Sequence, residues 1–133
     1  MKSELFLLDS SAIITLLENE PGAQRVEQVL AHAENLIPWT AILEIYYIVR
    51  REKGEAEADI LYALLKRLPV MILWEMDESI LLTAARIKSD HRCSFADAII
   101  SAYAILSKAV LIHKDPEFEK LGGEMQMEFL PYK

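Results

Sequence analysis

Short apolar runs that alternate with helical segments constrain the fold of this chain more than any other feature of its sequence. The side chains within each run are apolar without alternation, which is typical of strands buried on both faces. Such strands form parallel sheets whose connecting helices cover both sides. We therefore predict a three-layer α/β/α domain around a central parallel sheet of about five strands. The predicted strands are Leu5–Leu8, Leu36–Trp39, Val70–Leu73, Ala109–Ile112 and Met127–Leu130.

Helix start and stop signals separate the predicted strands. Thr40 and Asp77 are placed to cap two helices, because short polar side chains accept hydrogen bonds from the first amides of a helix. Pro21 suits the first turn of another helix, and Asp115-Pro116 starts a short helical turn. The predicted helices are Ala12–Glu18, a segment that begins at Pro21, Ala41–Lys53, Glu55–Leu68, Asp77 to about Lys88, and a helix that follows Ser94.

The helix after Ser94 carries an acid in an unusual place. Ser94 is a good N-cap, and Asp97 follows where a capping box has an acidic side chain. The segment from Ala98 to Ala102 is small and apolar, so we expect this helix to be buried on most sides. A carboxylate that loses its hydration needs a partner. The function of the chain therefore depends on which groups Asp97 faces.

The composition fits a single globular domain that spans residues 1–133. Apolar residues make up 53% of the 133-residue chain, which is enough for a solid core. The 14 Lys and Arg residues against 21 Asp and Glu residues give a formal net charge of -7. A protein this acidic is not expected to hold nucleic acid by bulk electrostatic attraction. A phosphate-binding site would need local basic side chains or bound cations.

Cysteine content and hydropathy indicate the compartment. Cys93 is the only cysteine, which excludes an intrachain disulfide and a cysteine-rich zinc site. The apolar run Leu5–Leu8 is flanked by Glu4 and Asp9 and does not resemble a signal peptide. No apolar run approaches the length that spans a bilayer. We therefore expect a cytoplasmic protein with no membrane partner.

Four acids distant in sequence are predicted to meet at one edge of the sheet. Asp9 closes the first strand, and Glu44 lies near the start of the helix after the second. Asp97 lies in the first turn of the helix that leads to the fourth strand, and Asp115 follows that strand closely. In open α/β folds the ends of the strands and the starts of the helices share the edge that binds ligands. The element order alone brings these four carboxylates together.

Carboxylates gathered in this way repel one another, and some of them would take up protons if left alone. A bound Mg²⁺ or Mn²⁺ removes that difficulty, because hard divalent cations prefer oxygen ligands. A metal held by carboxylates, with open positions for water and phosphate, is suited to phosphodiester hydrolysis. Taken singly, however, Asp9, Asp97 and Asp115 are each better explained as helix caps or first-turn acids. Glu75 and Asp77 also follow a strand, and position alone does not separate them from the four.

The sequence resembles the PIN-domain ribonucleases, and specifically the VapC-type toxins of toxin–antitoxin pairs. The resemblance covers nearly the whole chain and implies a sheet ordered 3-2-1-4-5, with the first and fourth strands at the centre. That order favours the four acids over Glu75 and Asp77, whose strand would lie at one edge. The motifs that carry the resemblance are Leu7-Leu8-Asp9-Ser10-Ser11, Thr40-Ala41-Ile42-Leu43-Glu44, Ser94-Phe95-Ala96-Asp97-Ala98-Ile99-Ile100 and Asp115-Pro116-Glu117-Phe118.

The resemblance implies an endoribonuclease that hydrolyses RNA phosphodiester bonds with Mg²⁺ or Mn²⁺. Asp9 and Asp97 would be the most direct metal ligands, Glu44 would bind directly or through water, and Asp115 would complete the outer side. The implied partners are an RNA substrate, a small VapB-like antitoxin and a second copy of the chain. Tyr46, Tyr47 and Trp74 are candidates for such a protein surface, with core packing as the alternative.

Four further residues are candidates for the surroundings of the metal or for substrate contact. Ser11 matches a small hydroxyl residue beside the first acid of the family, and both Ser11 and Thr40 are alternatively helix caps. His113 stands where the family often has Thr or Ser, and it is either a phosphate or metal contact or a structural residue. Arg92 is either part of a basic rim or a solvated helix end, together with Arg86, Lys88 and His91.

Three other functions remain open at this point. A housekeeping RNA-processing nuclease of the same fold would use the same acids. A non-catalytic PIN-like domain would bind RNA or a protein without cutting. A phosphoacceptor domain of the receiver kind has similar size, acidity and element order, but it requires adjacent acids at the end of the first strand. Here Leu8 precedes a single Asp9, which disfavours this regulatory alternative.

Overall fold

The computed structural model describes residues 4–131, so the predicted domain 1–133 extends beyond the described residues at both ends. Five strands form one sheet in the order β3-β2-β1-β4-β5. The strands are β1 (Leu5–Leu8), β2 (Glu34–Pro38), β3 (Met71–Leu73), β4 (Val110–His113) and β5 (Met127–Phe129). The helices are α1 (Ser10–Leu17), α2 (Ala23–His32), α3 (Trp39–Lys53), α4 (Glu55–Leu65), α5 (Glu78–Asp90), α6 (Phe95–Ser107) and a short 3₁₀ helix (Pro116–Leu121).

Strand β1 lies at the centre of the sheet, paired with β2 on one side and β4 on the other. Leu7 is opposite Leu36 in β2 and opposite Leu111 in β4. All four strand pairs are parallel. The predicted α/β/α class, the parallel sheet and the order 3-2-1-4-5 are therefore confirmed. No helix within residues 4–131 is long and apolar enough to cross a membrane.

Successive residues of β1 point to opposite faces of the sheet and enter two separate cores. Leu7 packs in a core that α5 and α6 cover, together with Ile87 and Ile99. Phe6 and Leu8 pack on the other face, in a core covered by α1 to α4. Both faces of the central strand are thus buried, which explains why its sequence is apolar without alternation.

The predicted helix cap at Thr40 is wrong, and the alternative in which Ser11 caps α1 is not observed either. Helix α1 begins at Ser10, with Asp9 rather than Ser11 at the N-cap. Helix α3 begins at Trp39, with Pro38 at the N-cap, so Thr40 lies within the first turn. Asp9 and Pro38 both have an extended backbone conformation, and each helix begins at the next residue. The caps at Asp77 and Ser94 are confirmed, since each side chain accepts a backbone amide of its helix.

Other predicted boundaries shift by a few residues. Helix α4 ends at Leu65 rather than Leu68, and β2 begins at Glu34 rather than Leu36. Helix α2 begins after Gly22 rather than at Pro21. Gly22 has φ +104°, and a Cβ there would lie 3.3 Å from the Cβ of Leu130. A glycine therefore suits both the backbone conformation and the close packing at this helix start.

Candidate metal centre

Asp9 is a buried acid at the junction of β1 and α1. Its backbone N–H donates to the carbonyl of Ile112 in β4 over 3.2 Å, which fixes the residue at the end of the two central strands. The residue is only 4% exposed. Burial raises the pKa of the Asp9 carboxyl to about 6, with a further contribution from the charge of Glu44, while the Ser11 hydroxyl opposes the rise. Asp9 is thus held in a place that disfavours its charge.

Ser11 connects Asp9 to the segment that follows β4. Its hydroxyl donates to Asp9 Oδ2 over 2.8 Å and accepts the backbone N–H of Lys114 over 2.9 Å. This position matches the predicted role beside the first acid rather than the alternative role as a helix cap. The carboxylate of Asp9 is therefore oriented by a hydroxyl that is itself fixed by the backbone after β4.

Glu44 lies in α3, half-buried, and meets the start of α1. The Ser10 hydroxyl is 2.5 Å from Glu44 Oε1 and 3.4 Å from Asp9 Oδ1. Ser10 is 3% exposed and was not among the predicted site residues. The only sequence signal for it is a small hydroxyl side chain directly after the first acid, and that signal does not identify a partner in α3.

Asp97 lies in the first turn of α6, where its backbone N–H donates to the Ser94 hydroxyl over 3.0 Å. The pKa of the Asp97 carboxyl is raised to about 7, first by burial and then by the negative charges of Asp115, Asp9 and Glu44. Asp97 therefore faces the other three predicted acids. The charge of Glu44 also acts on Asp9, so the four acids form a connected electrostatic group centred on Asp97.

Asp115 begins the 3₁₀ helix after β4. Its carboxylate accepts the backbone N–H of Glu117 over 3.0 Å, so it does act as a cap. The backbone N–H of Asp115 in turn donates to Nδ1 of His113 over 3.2 Å. Asp115 therefore caps the 3₁₀ helix and also acts on Asp97 through its charge.

His113 is a core residue rather than an exposed contact for phosphate. The ring is 1% exposed and packs between Phe118 and Phe129, with ring centroids 5.0 Å and 4.9 Å away. Burial lowers the pKa of the imidazole, which favours the neutral form. Since Nδ1 accepts the amide of Asp115, the ring proton lies on Nε2. His113 therefore lies outside the site, and its ring holds the backbone of Asp115 through the hydrogen bond to Nδ1.

Within residues 4–131, neither Thr40 nor the predicted basic rim forms a hydrogen bond or ion pair with the four acids. Thr40 is buried, and its hydroxyl has no hydrogen-bond partner among residues 4–131. Of the basic residues, Arg86 and His91 bind Glu124, and Lys88 donates to the carbonyl of Cys93. Arg92 is exposed and makes no hydrogen bond or ion pair within the described part of the chain. Arg92 is thus the one predicted rim residue left available to a ligand.

The competing acids at the third strand are separated from the site. Asp77 is exposed and caps α5, and Glu75 is exposed with its backbone carbonyl bound by the Tyr103 hydroxyl. Neither contributes to the raised pKa of Asp9 or Asp97.

Trp74, one of the three candidates for a protein surface, is 53% exposed and lines a cavity of about 530 Å³ with Tyr46. Tyr46 also donates to Asp59 over 2.7 Å, and Tyr47 is exposed.

The donor set fits a hard divalent cation with open coordination positions. All four donors are carboxylates, and a positive charge would offset the burial and the like charges that raise the pKa of Asp9 and Asp97. Within residues 4–131, no three His, Cys, Asp or Glu side chains are arranged to hold an ion by themselves. Mg²⁺ does not require three protein ligands, because it binds through one or two carboxylates and completes its shell with water and phosphate oxygens.

A sequence profile of the PIN domain matches residues 6–124 of the chain. The match covers most of the chain, so this protein belongs to the PIN domain family, and the predicted resemblance is confirmed. A comparison with curated proteins gives no match.

Solved structures with the same fold include toxin–antitoxin proteins. A VapBC2 complex from Rickettsia felis, bound to a promoter DNA fragment, is 14% identical with a TM-score of 0.77; the match covers 96% of this chain and 99% of that one. VapBC-1 from nontypeable Haemophilus influenzae is 23% identical, with a TM-score of 0.73 and coverage of 94% and 97%. VapC20 from Mycobacterium tuberculosis, a toxin that cleaves the sarcin-ricin loop, is 14% identical, with a TM-score of 0.69 and coverage of 88% and 95%.

Proposed function

We propose that this protein is a Mg²⁺- or Mn²⁺-dependent endoribonuclease and the toxin of a toxin–antitoxin pair. The observation that carries the proposal is the group of four carboxylates at the carboxyl edge of the central strands. Two of them have pKa values raised to about 6 and about 7, and neither has a basic partner in the described residues. Such a deficit of positive charge is met by a divalent cation and the substrate that the cation binds.

Each residue of the site has a distinct task in this proposal. Asp9 and Asp97 would hold the ion, with Glu44 and Asp115 binding directly or through water. Ser11 keeps the Asp9 carboxylate in one orientation, as its hydrogen bond indicates. When bound, the ion supplies an activated water and stabilises the departing oxygen of the phosphodiester. Arg92, exposed and unpaired within residues 4–131, is available for an RNA phosphate.

The likeness to VapBC structures supports the partner proposal. It extends over nearly the full length of both matched chains. We accordingly propose a small VapB-like antitoxin as the protein partner, a homodimer as the assembly and the cytoplasm as the location. Co-purification with the product of an adjacent reading frame, and inhibition of RNA cleavage by that product, test the partner.

The nuclease proposal is tested with Asp97→Asn, which removes one charge and keeps the shape of the side chain. We expect the wild type to cleave RNA with Mg²⁺ or Mn²⁺, to lose activity in EDTA, and to recover when the ion is restored. Asp97→Asn should fold and lose cleavage by a factor of about 100 or more, since it removes a direct ligand. Cleavage is measured on single-stranded and structured RNA.

Asp77→Asn is the matched control. It makes the same change in charge, and Asn caps a helix as well as Asp does, so α5 should be preserved. This variant should cleave RNA at the wild-type rate. An Asp97→Asn variant as active as the wild type, or equal losses in the two variants, would contradict the assignment of the site.

A further inference from the structure

The Ser10 hydroxyl lies between two acids that come from different elements. It is the first residue of α1, next to Asp9 at the end of β1, and Glu44 belongs to α3. The Ser10 Oγ atom is 2.5 Å from Glu44 Oε1 and 3.4 Å from Asp9 Oδ1. A serine hydroxyl has a single proton to donate. The shorter distance assigns that proton to Glu44.

This contact has the geometry of a strong, charge-assisted hydrogen bond. Hydroxyl donors approach carboxylates to about 2.5–2.7 Å in such bonds, and the Ser10–Glu44 distance falls in that range. Ser10 is 3% exposed, so water does not compete freely for its proton. Its backbone is fixed by the start of α1, whereas the Glu44 side chain has several rotatable bonds. The rigid partner therefore sets the position of the flexible one.

Two consecutive serines thus hold two different carboxylates. Ser11 donates to Asp9, and Ser10 donates to Glu44. Because both hydroxyls belong to the first turn of α1, the spacing between the Asp9 and Glu44 carboxylates follows from the backbone of that turn. The two like charges repel each other. Without the Ser10 hydroxyl, Glu44 would be free to turn away from Asp9.

We infer that Ser10 is a positioning residue, which holds the Glu44 carboxylate beside Asp9 so that both can serve one divalent cation. The inference rests on the proposed function and adds a residue to that site. Groups that orient metal ligands typically contribute about 10–100-fold in metal affinity. Ser10 acts through Glu44, so its effect should disappear when the Glu44 side chain is absent.

The test is a double-mutant cycle read by Mn²⁺ binding in calorimetry, without RNA. We expect Ser10→Ala to weaken Mn²⁺ binding about tenfold. On the Glu44→Ala background, Ser10→Ala should cause no further loss, since the partner of the hydroxyl is already gone. Thermal unfolding of each variant shows whether it is folded at the temperature of the titration.

Ser101→Ala is the matched control, because it also deletes a buried serine hydroxyl, one that donates only to the backbone carbonyl of Asp97 in its own helix. It should bind Mn²⁺ as the wild type does. Wild-type affinity in Ser10→Ala, or an equal loss with and without the Glu44 side chain, would overturn the inference and leave the proposed function standing. Absence of Mn²⁺ binding by the wild type would overturn both.

Discussion

Acidic side chains occupy two contrasting environments in this molecule. Glu124 accepts hydrogen bonds from Arg86 over 3.1 and 3.2 Å, lies 2.8 Å from Nε2 of His91, and has a lowered pKa. Asp9 and Asp97 have raised pKa values and face other carboxylates. Within residues 4–131, neither of them forms an ion pair. A carboxylate therefore has basic partners in one region and faces other carboxylates in the other.

The difference separates a structural acid from a functional one. An acid paired with basic side chains stabilises the fold in its charged form, as Glu124 does. An acid desolvated among like charges disfavours the folded state whenever it is ionised. Nothing in packing requires Asp9 and Asp97 to be carboxylates, since amides of the same shape would fill the same space. The raised pKa values of Asp9 and Asp97 therefore mark the carboxyl edge of β1 and β4 as the candidate functional site.

The largest expected effect is a loss of stability in the metal-free protein as pH rises. Burial raises the pKa of Asp9 from its ordinary value of 3.8 to about 6 in the folded protein. The folded state therefore binds more protons between these values, and the stabilisation present below the unfolded pKa is lost as pH rises through the folded pKa. The loss for Asp9 alone is roughly 3 kcal/mol, and Asp97 acts in the same direction.

Urea unfolding in EDTA between about pH 4 and pH 8 measures this loss. Asp9→Asn should flatten the pH profile, because the titrating group is removed. Asp77→Asn should keep the wild-type slope. A profile that is equally steep in Asp9→Asn would show that the electrostatic strain at the sheet edge has another origin.

Divalent cations should reverse that destabilisation. A ligand that binds only the folded state at 100 times its Kd adds about 2.7 kcal/mol of stability. We expect Mg²⁺ or Mn²⁺ to raise the unfolding temperature near pH 8 and to have little effect near pH 5, where protons compete for Asp9 and Asp97. Thermal unfolding with and without EDTA measures the shift. Asp97→Asn should lose most of it, and an undiminished response there would place the ion elsewhere.

The fold and the four acids could be predicted because they depend on the order of elements along the chain. Apolar runs predict the strands, and the parallel topology then brings Asp9 and Asp97 to one edge. The error at Thr40 arises because the cap was assigned by residue type, whereas Pro38 adopts the extended conformation that ends the strand. Local sequence does not distinguish adjacent candidates for such a position.

Contacts between side chains that are distant in sequence could not be predicted. The hydrogen bond from Ser10 to Glu44 joins two helices and has no periodic pattern behind it. The burial of His113 between Phe118 and Phe129 likewise depends on the packing of the 3₁₀ helix and β5. A residue type shows what chemistry is available, but its partner follows only from the three-dimensional arrangement.

The smallest expected effect concerns Glu124, the acid that is paired with basic side chains. Glu124→Gln removes the charge that binds Arg86 and His91, both partly exposed. Exposed ion pairs are worth about 0–1 kcal/mol, so stability near pH 7 should fall by less than about 1 kcal/mol. Because the pKa of Glu124 is lowered, its contribution is present above the unfolded value of 4.5 and is lost as pH falls. This sign is opposite to that of Asp9.

Urea unfolding at several pH values detects the loss, and Glu27→Gln serves as the control, since Glu27 is exposed on α2. Mn²⁺ affinity should be the same in the wild type and in Glu124→Gln. Under the proposed function, the paired Glu124 contributes only to the stability of the fold, whereas the unpaired Asp9 and Asp97 weaken the metal-free fold and bind the ion. If Glu124→Gln altered Mn²⁺ binding as Asp97→Asn is expected to, the two environments would not be independent and the distinction between structural and functional acids would fail.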